Sequence, residues 1–149
     1  MENTPRPEID LVARCACGGV SVHAKGTVRS MLLCACEDCQ KATGTGHSAI
    51  IIMRAADVQV EGVTSSFAST AESGATLTRW FCPACGTPLY GQSSRAETLV
   101  NLPAGLFGAA TADWFVPSQL IFARSHRDWD ALPDTLPQHA TYRARQPDV

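Results

Sequence analysis

Seven cysteines, gathered in three close groups, constrain this sequence more than any other feature. They are Cys15 and Cys17, then Cys34, Cys36 and Cys39, then Cys82 and Cys85. Cysteines separated by a single residue can form a disulfide only with strain, and an odd number of thiols cannot all pair. Thiolates are also good ligands for zinc. The cysteines therefore predict metal sites rather than a set of disulfides.

The length and composition fit one globular domain. The chain has 149 residues, 45% of them hydrophobic and 17% charged, with a formal net charge of -2. A chain of this length can bury enough surface to form a core. So small a net charge offers no attractive surface to nucleic acid or to an anionic membrane. We expect a folded domain over residues 9–136, loosely held termini at 1–8 and 137–149, and no nucleic-acid or membrane partner; no oligomeric state follows from the sequence.

The N-terminal segment predicts a cytoplasmic protein. It lacks the basic and then apolar pattern of a secretory signal, and no apolar run reaches the roughly 18 residues needed to span a bilayer. Thiols stay reduced in the cytoplasm, so the cysteines are expected to be ligands or catalysts.

Short apolar segments separated by glycine, proline or serine predict a mainly β fold of short antiparallel strands. The predicted strands are IDLVARC, GVSVHAK, SMLLC, HSAIIIM, DVQVEGV, ATLTRWFC, TPLYGQ, ETLVNLP and SQLIFARS. The apolar run in SAIIIM suggests a strand buried on both faces. Short helical turns are expected in EDCQKAT, ended by Gly44, and in HRDWDAL. Trp80, Phe81 and Phe122 are assigned to the core.

The first and last cysteine groups share an ending, because CACG and CPACG both place a glycine after the second cysteine. Glycine there allows a positive φ, which turns backbone N–H groups toward the thiolate sulfurs. We predict that Cys15, Cys17, Cys82 and Cys85 form a closed tetrahedral zinc site, with iron as the alternative ion. Such a site contributes on the order of 10 kcal/mol to folding in zinc-finger peptides.

Cys34, Cys36 and Cys39 remain, and no glycine follows the last of them. Three protein ligands are typical of catalytic zinc sites, where water or substrate takes the fourth position. The group therefore predicts an open, catalytic zinc site. The alternative is a second closed site with a fourth protein ligand. The nearest candidates for that ligand are Glu37, Asp38 and His47.

Four stretches together resemble the glutathione-dependent formaldehyde-activating family, which includes centromere protein V. They are CACG, CACEDCQKATG, TRWFCPACGTPLY and PSQLIFARSHRDWDALPD. The resemblance covers about residues 9–136 and all seven cysteines. It implies a β-tent zinc fold in which a structural zinc lies on Cys15, Cys17, Cys82 and Cys85 and a catalytic zinc on Cys34, Cys36 and Cys39.

The same resemblance implies a carbon–sulfur lyase type of activity. Its substrates would be a small thiol such as glutathione and an aldehyde, joined as an adduct such as S-hydroxymethylglutathione or released from it. The chain departs from the family at three positions. Ala35 stands where the family often has histidine or asparagine, Gln40 where it commonly has arginine, and Gln119 where it usually has histidine. These departures bear on what binds beside the metal. A zinc-stapled binding module without turnover is the alternative function.

Histidines are the natural candidates for a proton donor in such a reaction. His47 lies in the glycine-containing stretch TGTGHS after the three-cysteine group, and a partly exposed histidine with no role is the alternative interpretation. His23, His126 and His139 are expected at the surface.

Overall fold

A computed structural model describes residues 6–142 of the chain, and these residues fall into two compact units. The first unit contains residues 6–30 and 51–115, and the second contains residues 31–50 and 116–142. Among the described residues, no helix is long and apolar enough to cross a membrane. Residues 1–5 and 143–149, which belong to the termini predicted to be loosely held, lie outside the described residues.

The described residues form ten strands in two sheets, with one short α-helix. The strands are β1 (Glu8–Arg14), β2 (Ser21–Thr27), β3 (Ser30–Cys34), β4 (Ser48–Arg54), β5 (Val58–Glu61), β6 (Ser65–Thr70), β7 (Thr76–Phe81), β8 (Pro88–Ser93), β9 (Leu99–Pro103) and β10 (Leu120–Ile121). The α-helix is α1 (Glu37–Thr43), and 3-10 turns cover Ala55–Asp57, Ala104–Thr111 and Ala123–Ser125.

In the first unit, β1, β2 and β5 form an antiparallel sheet in that order. Alternation of apolar and polar residues decides which face is buried, because successive side chains of a strand point to opposite sides. In β1, Ile9 and Ala13 are buried while Asp10 is exposed. In β2, Val22 and Ala24 are fully buried.

Strands β6 to β9 form a second antiparallel run in the same unit, in the order β9-β8-β7-β6. Trp80 of β7 pairs with Tyr90 of β8, and their rings stack with centroids 4.5 Å apart. Trp80 and Phe81 are only partly buried, so their assignment to the core was wrong. The fully buried side chains here are aliphatic, because the aromatic rings lie on a partly exposed face; they include Ile51, Met53, Leu89 and Leu102.

In the second unit, the two-residue strand β10 pairs with β3 in parallel. Leu33, Ala35 and Leu120 form a buried cluster, against which Leu132 and Leu136 pack. Residues 137–142 run beside β10, and the His139 N–H donates to the Leu120 carbonyl.

The mainly β prediction is confirmed, and each predicted strand overlaps an observed one. The predicted helix in EDCQKAT is also confirmed, since α1 ends at Gly44 with a φ of 72°. Strand β6 was missed because its sequence, SSFAST, is largely polar. No helix forms in HRDWDAL. In β4, Ile51 and Met53 are buried but Ile52 is partly exposed, so burial on both faces was wrong.

Candidate metal centres

The first unit brings Cys15, Cys17, Cys82 and Cys85 together, as predicted. Their sulfur atoms all lie within 4.8 Å of one another, although the two pairs are far apart in the sequence. The Cys17 sulfur is 3.6 Å from the sulfurs of Cys15 and of Cys82. Zinc–sulfur bonds of 2.3 Å in a tetrahedron place sulfurs about 3.8 Å apart. These four side chains can therefore hold a tetrahedral metal ion with little rearrangement.

The two cysteine pairs are carried by turns of the same construction. The Cys15 N–H donates to the Val20 carbonyl, and the Cys82 N–H donates to the Thr87 carbonyl, five residues later in both cases. The glycine after each pair has a positive φ, 80° at Gly18 and 75° at Gly86. L-residues other than glycine rarely adopt this conformation. The shared ending of the two groups therefore encodes a shared turn.

Hydrogen bonds to sulfur differ among the four thiols. The Val20 N–H donates to the Cys15 sulfur at 3.2 Å, and the Thr87 hydroxyl lies 3.2 Å from the Cys85 sulfur. The Thr87 hydroxyl and nearby backbone N–H groups lower the pKa of Cys85 to about 5. A lowered pKa favours the thiolate form of Cys85, which is the form that binds a metal.

Neighbouring thiols act in opposite directions on Cys15 and Cys17. Burial raises the pKa of Cys15, but hydrogen bonds from the Val20 N–H and neighbouring thiols outweigh it and lower the pKa overall. For Cys17, the Gly19 N–H lowers the pKa, but the other three cysteines raise it further, to about 11. A metal ion must displace the protons that remain, so its binding releases protons.

The second unit brings Cys34, Cys36 and Cys39 together at the junction of β3 and α1. Cys34 ends β3, Cys36 is the N-cap of α1, and Cys39 lies in its first turn. The Cys39 N–H donates to the Cys36 sulfur at 3.3 Å. All three sulfurs lie within 4.8 Å of one another. Cys34 and Cys39 are buried while Cys36 is half-buried, so this group is accessible from the side of Cys36.

Burial and close neighbouring sulfurs raise the pKa of two thiols of this group. Hydrogen bonds with Cys36 and Cys39, together with burial, raise the pKa of Cys34 far above its ordinary range. A hydrogen bond with Cys34 lowers the pKa of Cys36, but the hydrogen bond with Cys39 and burial outweigh it and raise the pKa overall. Three confined sulfurs are better suited to share a cation than to ionise together.

None of the three candidates for a fourth ligand joins this group within 4.8 Å among the residues that the structure describes. His47 bonds instead to Asp130, and Glu37 forms an ion pair with Arg127 at 3.7 Å. Asp38 is exposed on α1. The described residues thus offer four sulfurs at the first group and three at the second.

Gln40, one of the departures from the family pattern, connects two loops of the second unit. Its side-chain N–H group donates to the Ala35 carbonyl at 2.8 Å and to the Ser125 carbonyl at 2.9 Å. Its side-chain oxygen accepts from Arg127 at 3.4 Å. Gln40 therefore fixes the loop between Cys34 and Cys36 to the segment that precedes His126. No local pattern in the sequence indicates this contact.

The other two departures are buried. Ala35 is fully buried, and its methyl group packs with Leu33 and Leu120. Gln119 is also buried, and its backbone carbonyl accepts from the Leu33 N–H at 2.9 Å. Both positions pack the second unit.

Two histidines of the second unit bond to the same carboxylate oxygen. Asp130 Oδ2 lies 2.6 Å from His47 Nδ1 and 3.0 Å from His126 Nε2. The expectation that His126 is a surface residue was therefore wrong, since its side chain is 19% exposed. Burial raises the pKa of Asp130, but the hydrogen bonds from both histidines outweigh it and lower the pKa overall. Sequence spacing could not reveal the pair of His47 and Asp130, which are 83 residues apart.

The remaining histidines lie in more open surroundings. In the first unit, His23 forms an exposed pair with Asp10, with Nε2 and Oδ1 2.6 Å apart. In the second unit, His139 is partly exposed beside β10.

A crystal structure of a protein from Rhodobacter sphaeroides has a similar fold, with a TM-score of 0.54. It is 16% identical in sequence, and the match covers 66% of this chain and 89% of the other. A search of curated proteins found no match. Residues 10–125 match the sequence profile described as glutathione-dependent formaldehyde-activating enzyme, and this stretch contains all seven cysteines. The chain therefore belongs to the glutathione-dependent formaldehyde-activating family, the one that its cysteine groups predicted.

Proposed function

We propose that the protein is a zinc enzyme that joins a small thiol to an aldehyde, or releases the thiol from such an adduct. The observation that carries the proposal is the difference between the two cysteine groups. Four sulfurs of the first group complete a tetrahedron, whereas three of the second leave one position for another ligand. Membership of the family supports the choice of a glutathione-like thiol and formaldehyde as the substrates.

Zinc is the ion that best fits both groups. Sulfur ligands in tetrahedral arrangement favour zinc or iron, and hard ions such as magnesium and calcium prefer oxygen. We assign a structural zinc to Cys15, Cys17, Cys82 and Cys85 and a catalytic zinc to Cys34, Cys36 and Cys39. A zinc ion on three thiolates would supply a soft Lewis acid that lowers the pKa of an incoming thiol.

The chain supplies the shape of the second site. Cys34 and Cys39 are buried, so they form the inner side of the site, and the half-buried Cys36 lies at its accessible side. Ala35 adds no bulk beyond its methyl group, and Gln40 fixes the loop that carries it. We expect a small thiol and the aldehyde to bind at the half-buried Cys36, the accessible member of the group.

The state of the cysteines supports a cytoplasmic location. None of the seven forms a disulfide, and two groups of close thiols would oxidise in a compartment that forms disulfides. Fractionation of cells that express the tagged protein tests this assignment, and recovery from an oxidising compartment would contradict it.

Metal analysis combined with thiol binding tests the assignment of the sites. We expect two zinc ions per chain in the wild type and one in Cys36→Ser. Glutathione at about 100 times its dissociation constant should stabilise the wild type by about 2.7 kcal/mol. The stabilisation should disappear in Cys36→Ser, measured by thermal melting with zinc present. Equal stabilisation of both proteins would place the thiol elsewhere.

An assay with several thiols and formaldehyde then tests turnover. We expect the wild type to accelerate adduct formation and Cys36→Ser to lose the acceleration. A wild type that holds two zinc ions and binds a thiol without accelerating the reaction would identify the protein as a zinc-stapled binding module.

A further inference from the structure

The contact between His47, Asp130 and His126 is a second group of reactive side chains in the unit that holds Cys34, Cys36 and Cys39. The Asp130 side chain is 11% exposed, and those of His47 and His126 are 22% and 19% exposed. A carboxylate that bonds to one nitrogen of an imidazole fixes which nitrogen carries the proton. Here the carboxylate engages His47 at Nδ1, which leaves Nε2 at the tip of the ring.

The free nitrogens of the two histidines differ in access. Among the described residues, neither His47 Nε2 nor His126 Nδ1 has a hydrogen-bond partner. The Nδ1 atom lies next to the main chain of its own residue, whereas Nε2 lies at the far end of the ring. His47 is therefore the histidine better able to meet a bound molecule, and Asp130 holds it by the opposite nitrogen.

Hydrogen bonds connect the segments that carry His47 and His126 to the segment that carries Cys34, Cys36 and Cys39. The Thr43 hydroxyl donates to the Cys39 carbonyl at 2.8 Å and lies 3.5 Å from the His47 carbonyl. One hydroxyl thus lies against both carbonyls, so the backbone of His47 passes close to that of Cys39. On the other side, Gln40 joins the Ala35 carbonyl to the carbonyl of Ser125, the residue before His126.

The chain passes unusually close to the carboxylate. A Cβ atom at Gly46 would overlap the Cβ, Cγ and Oδ2 atoms of Asp130. The backbone next to His47 therefore covers Asp130 and keeps water from it. The charged side chains of the adjacent segments lie outward: Glu37, Asp38, Lys41, Arg127 and Asp128 are all exposed.

We propose that His47 is the acid–base group of the thiol and aldehyde reaction, and that Asp130 is its positioning residue, supported from the other side by His126. This inference rests on the proposed function. It also uses residues beyond the matched region, because His126 and Asp130 follow residue 125.

The step is balanced without an oxidant or reductant. His47 Nε2 takes the proton of the thiol, and the sulfur lone pair forms a bond to the aldehyde carbon. The π electrons of the carbonyl move to its oxygen, which receives the proton from His47. The reverse sequence breaks the carbon–sulfur bond and returns the proton to sulfur.

A metal site at these three residues is a poorer interpretation. Their ligand atoms do not come within 4.8 Å of one another as a set, in contrast to the two cysteine groups of the described chain. The histidine nitrogens lie on different sides of one oxygen, which is the arrangement of a hydrogen-bonded carboxylate.

Nitrogen-15 NMR of the zinc-loaded protein tests the positioning role, with the exposed pair of His23 and Asp10 as a matched control. We expect the wild type to hold His47 as the single tautomer protonated on Nδ1. Asp130→Asn should give a mixture of tautomers at His47 and leave His23 unchanged. Asp10→Asn should give a mixture of tautomers at His23 and leave His47 unchanged. An unaltered His47 in Asp130→Asn would overturn the positioning role.

Kinetics of His47→Gln test the acid–base role, since glutamine can still donate to Asp130 but cannot exchange a proton in this range of pH. We expect kcat to fall by about 10²- to 10⁴-fold, with little change in the thermal shift produced by glutathione. Asp10→Asn should keep the wild-type rate. A His47→Gln protein with the wild-type kcat would overturn the proposal.

The two proposals fail in different ways. If the wild type accelerates no thiol and aldehyde reaction, the proposed function is wrong. The placement of His47 is then judged by adding glutathione alone to the zinc-loaded protein. A change in the nitrogen-15 chemical shift of His47 Nε2, with the shifts of His23 and His139 unchanged, would support that placement. No change would contradict it.

Discussion

The two cysteine groups use the same ligand atom but differ in local construction. The first joins two turns that are separated by more than sixty residues, each with its own glycine at positive φ. The second lies within six residues, on the end of a strand and the first turn of a helix. A metal on the first group would close a long loop, whereas one on the second would close only a local turn. The first is therefore suited to stabilise its unit and the second to bind a ligand.

Hydrogen bonds to sulfur show the same contrast. In the first group, the Thr87 hydroxyl and nearby backbone N–H groups lower the pKa of Cys85 to about 5, whereas the neighbouring cysteines raise that of Cys17 to about 11. In the second, the pKa values of Cys34 and Cys36 are both raised. The difference lies at Cys85, whose sulfur has a hydroxyl partner as well as backbone N–H groups.

The largest effect should follow from Cys82→Ser. It removes a buried ligand of the first group, and structural zinc contributes on the order of 10 kcal/mol in small zinc domains. We expect the free energy of unfolding to fall by several kcal/mol, so that much of the protein is unfolded or insoluble at 37 °C. Chemical denaturation with zinc present measures the change. A stable protein would show that the first unit does not need its metal.

Cys36→Ser is the matched change in the second group. Serine is a good N-cap, so its hydroxyl can still accept from the Cys39 N–H and preserve α1. We expect one zinc ion to be lost, with a smaller fall in unfolding free energy than in Cys82→Ser, because the second group closes only a local turn. Zinc content and denaturation, measured on the same samples, decide the result. If Cys36→Ser and Cys82→Ser are equally unstable, the contrast between the groups is wrong.

Thr87→Val sharpens the contrast by making the first group resemble the second. Valine has the shape of threonine but cannot bond to the Cys85 sulfur, so the pKa of Cys85 should rise. Protons then compete with zinc for the Cys85 sulfur near neutral pH. We expect the affinity of the first group for zinc to fall by about 10- to 100-fold. The loss should be greater at pH 6 than at pH 8. Competition with a chelator measures it, and equal loss at both values would argue against proton competition.

Gln40→Ala should have a smaller effect on stability than the changes above. Gln92→Ala in the first unit is its control. Both side chains donate to two backbone carbonyls: Gln40 to those of Ala35 and Ser125, Gln92 to those of Glu97 and Leu99. Leaving such carbonyls unpaired costs about 1–3 kcal/mol when they are buried. We expect both variants to melt earlier, but only Gln40→Ala to weaken glutathione binding. Weakened binding in both would show that the effect is general loss of stability.

Much of the fold could be predicted from local patterns. The strands were visible because alternation and glycine or proline boundaries are properties of adjacent residues. The end of α1 was visible because Gly44 can adopt a left-handed φ. Strand β6 was not visible, since SSFAST carries only one large apolar residue, Phe67, and that residue is 66% exposed. Its strand conformation comes from pairing with β7 rather than from its own sequence.

The sequence by itself determined the division of the seven thiols, because the residue after each pair and the spacing within it are local facts that fix turn geometry. Only the tertiary structure decided what surrounds the second group. The contacts of Gln40 with Ser125, and of His47 with Asp130, join residues more than eighty positions apart. Such contacts depend on how the chain folds back on itself, and no local periodicity or spacing records that path.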